Sequence, residues 1–201
     1  MPEHPPPTEP SEPVYPPRED TFLLLPFARG PVGTTLLEIG TGSGTLALAA
    51  ARAGARVVAT DLNPRALRRV RTLARRDGLS LELVRTDLAH GLGRFDRVLV
   101  NPPYLPTTPE ERDPDRWHNL ALDGGQDGLL VTERLIAELS DHLAPCGAAF
   151  LVVSSRQEAG GLERLRLRWT ALGRVETVAE RDLEGERLWV WKLTLAPAPD
   201  A

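Results

Sequence analysis

The sequence predicts an α/β fold with a mostly parallel sheet, and three features carry that prediction. Short apolar runs alternate with amphipathic helical stretches along the chain. The first run opens into Gly40-Thr41-Gly42-Ser43-Gly44 and then the helical Leu46-Ala47-Leu48-Ala49-Ala50-Ala51; glycines so placed let the backbone approach a ligand closely. Further on, Phe95-Asp96-Arg97-Val98-Leu99-Val100 stops at Asn101-Pro102-Pro103-Tyr104. Neither proline can donate to a further ladder, so Asn101 falls at the carboxyl end of a sheet, where open α/β sheets bind ligands.

The elements follow in order. Residues 1–13 are rich in Pro and Glu with almost no apolar anchor, which predicts a disordered or partly polyproline start and leaves 14–201 as a single domain. From Arg18 to Arg29, Phe22, Leu25 and Phe27 with Leu23 and Leu24 predict an opening helix, broken near Pro26, across the ligand mouth. Helices are predicted over 46–53, 64–76, 129–143 and 162–169, and strands over 35–39, 56–60, 81–84, 97–100, 148–153, 174–179 and 187–194. Pro64 suits a first helical position. The last two strands, joined at Glu184-Gly185-Glu186, read as a hairpin that puts one antiparallel strand into the sheet. Residues 105–128 read as a long irregular connection, with Trp117 and His118 in a lid over the target. Gly124-Gly125-Gln126 reads as turn chemistry closing that loop, Trp169, Trp189 and Trp191 as core, and Cys146 as a small filler between helix and strand.

Composition narrows the function. A pI near 5.6 and a net charge of -4 disfavour a broad nucleic-acid footprint. Arg65, Arg68, Arg69, Arg71, Arg75 and Arg76 crowd one helix, but Lys192 is the only lysine, so a general preference for arginine explains them as a solvated face. A single cysteine excludes an internal disulfide. The four histidines, His4, His90, His118 and His142, show no metal-ligand spacing, so no metal is assigned. No stretch approaches the roughly 18 apolar residues of a membrane span, and the start lacks a signal peptide, so a cytoplasmic location is expected.

The strand ends describe a ligand. A dinucleotide fingerprint fails because the residue three after Gly42 is Thr45 and the one three after Gly44 is Ala47; a P-loop fails because no Lys-Ser or Lys-Thr follows. Glu38 at the mouth of the loop would repel pyrophosphate and suits a positively charged group. Asp61, ending the strand at 56–60, can accept from both ribose hydroxyls, and Asp87, after 81–84, is placed to accept from an adenine amino group. The implied ligand is adenosine with a cationic, phosphate-free tail. At Asn101 the side-chain oxygen and the Pro102 carbonyl can grip both hydrogens of a planar NH2 group, and Tyr104 offers it a flat face.

With these residues in hand, the chain resembles the class I S-adenosylmethionine methyltransferases. More narrowly, Val14-Tyr15-Pro16-Pro17-Arg18-Glu19-Asp20-Thr21, Asp61-Leu62-Asn63-Pro64, Asn101-Pro102-Pro103-Tyr104 and Leu122-Asp123-Gly124-Gly125-Gln126-Asp127-Gly128 are similar to the short branch of the HemK-type glutamine methyltransferases, over residues 14 to 195. The resemblance implies a Rossmann-like class I methyltransferase fold: a seven-stranded, mostly parallel sheet with one antiparallel strand and helices on both faces. It implies S-adenosyl-L-methionine as cofactor, with Thr21 on its methionine part, Glu38, Gly40 and Gly42 lining its loop, Asp61 on the ribose, and Asp87 and Leu88 on the adenine. Asn101 would bridge cofactor and substrate, and Asn101, Pro102 and Tyr104 would be catalytic. The implied substrate is the glutamine of the Gly-Gly-Gln loop of a class I translation release factor. Short-branch relatives also imply a small zinc-binding activator at the strand over 81–84. Two other readings stay open: a nucleic-acid adenine or cytosine amino-methyltransferase, and a catalytically silent binding subunit.

Overall fold

The computed structural model describes residues 14–197, so the expectation for 1–13 lies outside the described residues. Its sheet is built from β1 (Thr35–Ile39), β2 (Arg56–Thr60), β3 (Glu82–Val84), β4 (Phe95–Val100), β5 (Leu143–Ser154), β6 (Gly173–Leu183) and β7 (Glu186–Leu195). The seven strands lie in the order β3-β2-β1-β4-β5-β7-β6. Neighbours from β3 to β5 are parallel, whereas β7 runs antiparallel to both β5 and β6. That single reversal is the hairpin that Glu184-Gly185-Glu186 predicts.

Both faces of the sheet are covered. On one, Leu37, Ile39, Val98 and Val100 pack with Leu135 and Ile136 of α5 (Leu130–Glu138) and Leu162, Leu165 and Trp169 of α6 (Ala159–Thr170). On the other, Leu36, Ala59 and Leu99 pack with Leu24 of α1 (Glu19–Leu24) and Leu46, Ala47 and Ala50 of α2 (Thr45–Arg52). Leu36 and Leu37, or Leu99 and Val100, thus enter opposite layers, and an unbroken apolar run is what a strand buried on both faces requires. A 3-10 turn, Leu25–Ala28, extends α1 past Pro26, and its Phe27 ring stacks on Phe150 of β5 at 4.7 Å. In α3 (Pro64–Arg76) Asn63 caps the start by accepting from the Arg65 N–H at 2.9 Å, Ala66, Leu67, Val70 and Ala74 are buried, and arginines fill the outer face.

The structure corrects three expectations. Residues 105–128 are not wholly irregular: they hold a 3-10 turn, Pro109–Glu111, and a helix, α4 (Arg116–Leu122), whose N-cap Asp115 accepts from the Trp117 N–H at 2.9 Å. The helix expected over 129–143 ends at Glu138 and tightens into a 3-10 turn, Leu139–His142, while β5 begins as early as Leu143. Cys146 is not a filler. The pairing of β4 with β5 jumps from Phe95–Leu143 to Arg97–Ala148, and the intervening bulge holds Cys146 exposed with φ 63°. Among the described residues, no helix is long and apolar enough to cross a membrane.

Candidate active site

Register fixes the site. Ile39 of β1 pairs with Thr60 of β2 and with Val100 of β4, so Gly40, Asp61 and Asn101 leave the sheet side by side at its carboxyl edge. Between Gly40 and α2 the backbone turns through a left-handed Gly44, which is also the N-cap of α2. A Cβ on Gly44 would lie 2.5 Å from a Val70 methyl of α3, so glycine is required there for packing as well as for conformation. A Cβ on Gly40 would meet nothing within 4 Å, so that face of the loop is open to a ligand.

Two carboxylates stitch this loop together. Glu38, 4% exposed, accepts from the Thr41 hydroxyl at 2.6 Å and the Ala47 N–H at 3.0 Å through one oxygen. Burial pushes its carboxyl up to about 8 against the pull of those hydrogen bonds, and the nearby Asp61 charge adds to the shift. Asp61 accepts from the Gly42 N–H at 2.9 Å on one oxygen and from the Asn63 N–H at 2.8 Å on the other, and burial raises its carboxyl too. The acceptor oxygens of these two acids suit a ligand that brings hydroxyl or N–H donors rather than phosphate. Beside them Thr60 donates its hydroxyl to the Leu88 carbonyl at 2.9 Å and holds Leu88 at φ 48°, a left-handed conformation that a bulky side chain adopts only under constraint. Asp87 points outward and pairs with Arg134 at 2.7 Å.

The clamp differs from these acids. Among the described residues, the Asn101 side-chain oxygen is the buried polar atom for which the protein supplies no hydrogen-bond partner. Buried polar atoms are almost always paired, because leaving one unpaired costs about 1–3 kcal/mol. The oxygen is left with its acceptor capacity unused by the protein. Pro102 beside it is buried, and Tyr104 is half-buried with its hydroxyl donating to Asp20 at 3.3 Å. That link brings α1, and with it the buried Thr21, to the clamp.

The loop after the clamp closes on itself. Leu105 bridges Asp123, and Gly124 N–H donates to the Leu105 carbonyl at 2.9 Å, as does Gly125's carbonyl accept from Thr107 N–H at 2.9 Å. A Cβ on Gly128 would stand 2.4 Å from the Tyr104 carbonyl oxygen, so the 124–128 turn presses directly on the clamp. Gln157 pins that turn, donating to the Gly128 carbonyl at 2.9 Å and the Thr132 hydroxyl at 3.0 Å. Outside the neck, Arg65 of α3 reaches Asp115, the N-cap of α4, at 3.2 Å. A concavity of about 510 Å³ sits within this excursion, lined by Leu105, Thr107, Arg112, His118 and Asp123.

Gly40, Asp61 and Asn101 therefore stand at one sheet edge, with Glu38 just inside β1, Leu88 tied to β2 through Thr60, Tyr104 tied to the helix of Thr21 through Asp20, and Asp87 turned outward. Reasoning from sequence missed Asp20, Thr41, Thr60, Arg134 and Gln157. Asp20 and Thr41 had a signal, since each adjoins a residue already singled out; Arg134 and Gln157 had none.

The methyltransferase-domain family matches residues 36–115. The chain is 33% identical to methyltransferase HEMK2 of Homo sapiens over 90% of its own length and 89% of that protein's. It is 43% identical to the release factor glutamine methyltransferase of Deinococcus radiodurans over 70% of its own length, and spans 54% of that longer relative. Among solved structures it resembles the E. cuniculi Mtq2–Trm112 complex, responsible for methylating the eRF1 translation termination factor, with 27% identity, a TM-score of 0.68, and coverage of 90% of this chain and 98% of that one.

Proposed function

The chain belongs to the HemK-type methyltransferases, and from that premise we propose that it methylates the side-chain amide nitrogen of a protein glutamine, that of the Gly-Gly-Gln loop of a class I release factor. The observation that carries this reading is the unpaired Asn101 oxygen at the end of β4. A primary amide brings the NH2 donor it lacks.

The residues at this edge suit S-adenosylmethionine as methyl donor. Asp61 offers acceptors to a ribose, Glu38 would give up its proton on meeting a cationic tail, and the open glycine face leaves room for the chain of the ligand. Thr21, Glu38, Gly40 and Gly42 would hold the methionine end, Asp61 the ribose, and Asp87 and Leu88 the adenine. When bound, the donor supplies a methyl carbon made electrophilic by its sulfonium sulfur. The protein then has chiefly to orient the nucleophile, at about 3 to 3.5 Å and in line. An amide nitrogen is a weak nucleophile because its lone pair is delocalised into the carbonyl. Asn101 and the Pro102 carbonyl each accept one of its hydrogens, and both hydrogen bonds strengthen as the nitrogen gains positive character. No side chain needs to take a proton before the new bond forms; the methyl carbon would leave its sulfur, which departs as a neutral thioether, and the amide nitrogen would then give one proton to solvent. Tyr104 supplies the face against which the amide lies.

Residues 14–201 form the single catalytic domain in this reading, working in the cytoplasm on the translation machinery. The partner we propose is a small activator subunit, zinc-binding in the short branch, that adds a strand along β3. This strand of three residues is one edge of the sheet, and an edge strand can accept a further strand along its outer side. A monodisperse chain with full activity when expressed alone would remove the need for that subunit.

Radiolabelled methyl transfer to a purified release factor, to a form with the loop glutamine substituted, and to bulk RNA and DNA tests the substrate. Label on the unsubstituted factor alone supports the reading. Label on RNA or DNA transfers it to the nucleic-acid methyltransferases, and that activity should then fall steeply with salt.

A further inference from the structure

We propose that Asp20 is a positioning residue for methyl transfer, holding the Tyr104 wall of the clamp in register with Thr21 on the cofactor side. The proposal deepens the methyltransferase reading and rests on it.

Asp20 lies in the first turn of α1 and is only 3% exposed. One of its oxygens accepts from the Thr21 N–H at 2.6 Å and from the Thr21 hydroxyl at 3.1 Å. The other accepts from two phenols, Tyr15 and Tyr104, each at 3.3 Å. A carboxylate that served only to cap α1 would need its near neighbours alone. This one also reaches a tyrosine 84 positions away in the chain, and the two halves of the carboxylate face the two halves of the site. Burial, and then the Asp20 charge, push the Tyr15 phenol up to about 12 and raise that of Tyr104 as well, so both stay protonated and act as donors at neutral pH.

The other end of Tyr104 is equally constrained, since its carbonyl abuts the 124–128 turn that Gln157 pins. With its backbone pressed from one side and its hydroxyl held from the other, the ring has little freedom. A misplaced reacting group loses rate steeply, so release of the phenol should appear in turnover before it appears in cofactor affinity.

The test compares Asp20→Ala, Asp20→Asn, Tyr104→Phe and the double variant Asp20→Ala/Tyr104→Phe. Turnover on a release factor, the Kd of S-adenosylhomocysteine and thermal unfolding are measured on each. Asp20→Ala and Tyr104→Phe should each lower kcat about 30-fold or more, and in Tyr104→Phe, which leaves the Asp20 bonds to Thr21 in place, the Kd should move less than about threefold. The double variant should be no worse than about twofold below the lower single variant, because both changes break one link. Asp20→Asn should recover turnover to within about fivefold of the wild type, since its oxygen can still accept from Thr21 and its NH2 can donate to the phenol oxygens. Losses that multiply in the double variant, or near-normal kcat in Asp20→Ala, would overturn the proposal. Should Asp20→Ala fail to fold, Tyr104→Phe decides: near-normal turnover overturns it, and the stated loss at unchanged Kd and melting sustains it.

A second readout does not need activity. The chain has 2 tyrosines, so labelling with 3-fluorotyrosine gives one fluorine signal for each. Asp20→Asn should shift the Tyr104 signal, and an unmoved signal overturns the link. A wild type that methylates no release factor defeats the proposed function, yet leaves this spectrum to show whether Asp20 holds the ring.

Discussion

The two halves of the site treat their buried acceptors in opposite ways. On the β1–β2 side, Glu38 and Asp61 are met by the N–H groups of Ala47, Gly42 and Asn63. On the β4 side, the Asn101 oxygen is buried with no partner from the protein. The first half is therefore complete as protein architecture, its acids ordering the glycine loop whether or not a ligand is bound. The second half is complete only with a donor in place. Its acceptor is aimed by β4 and by the rigid Pro102, and braced through Tyr104 by the 124–128 turn. In the proposed function, this division separates holding the methyl donor from reading the group to be methylated.

Substitutions that strike one half should leave the other nearly untouched. Asn101→Ala is expected to lower kcat about 100- to 1,000-fold, the range seen on removing a single hydrogen-bonding group aimed at developing charge. Affinity for S-adenosylhomocysteine should change less than about threefold, and the melting temperature should not fall, because the atom removed was unpaired. Equal losses in both constants would erase the division. Asp61→Ala should do the reverse and weaken S-adenosylhomocysteine binding about 100-fold through loss of a charged acceptor. It should also cost about 1–3 kcal/mol of stability by orphaning the Gly42 and Asn63 N–H groups, which calorimetry and urea unfolding would register together.

A third substitution tests the brace. Gly128 has φ 75°, and an added Cβ would meet the Tyr104 carbonyl at 2.4 Å. Gly128→Ala should therefore destabilise the protein by about 2 kcal/mol and reduce turnover with little change in cofactor affinity. Denaturant unfolding paired with single-turnover rates would check it.

pH should also move the stability of the fold. Burial lifts Glu38 from an ordinary 4.5 to about 8. The folded, ligand-free protein thus keeps a proton there that the unfolded chain has lost, so stability falls as pH rises from 4.5 towards 8. The slope contributed by this group is at most about 1.4 kcal/mol per pH unit. Glu38→Gln should flatten it, and an unchanged slope in pH-dependent melting would show that the group ionises normally.

What could be read in the sequence follows the same division. Asp61 and Asn101 were legible because each stands where an apolar strand meets a polar residue, and Pro64 marked the start of α3 by local chemistry. The antiparallel reversal at β7 was legible from one tight turn. α4 was not, because Pro109, Pro114 and the surrounding acids hid the Asp115 cap. The bulge that exposes Cys146 depends on pairing between β4 and β5, which no local pattern records. The hold of Asp20 on Tyr104 and of Gln157 on Gly128 spans 84 and 29 positions, and only the folded chain brings these residues together. The pocket's chemistry was thus written locally, and its bracing was not.

Tandem mass spectrometry of a class I release factor, after incubation with the chain and S-adenosylmethionine, tests most directly whether the unpaired Asn101 oxygen serves a glutamine amide. The geometry predicts a single added methyl group on the side-chain nitrogen of the Gly-Gly-Gln glutamine, formed by the wild type and nearly absent with Asn101→Ala. A methyl group on any other atom of the factor, or equal methylation by both proteins, would contradict it.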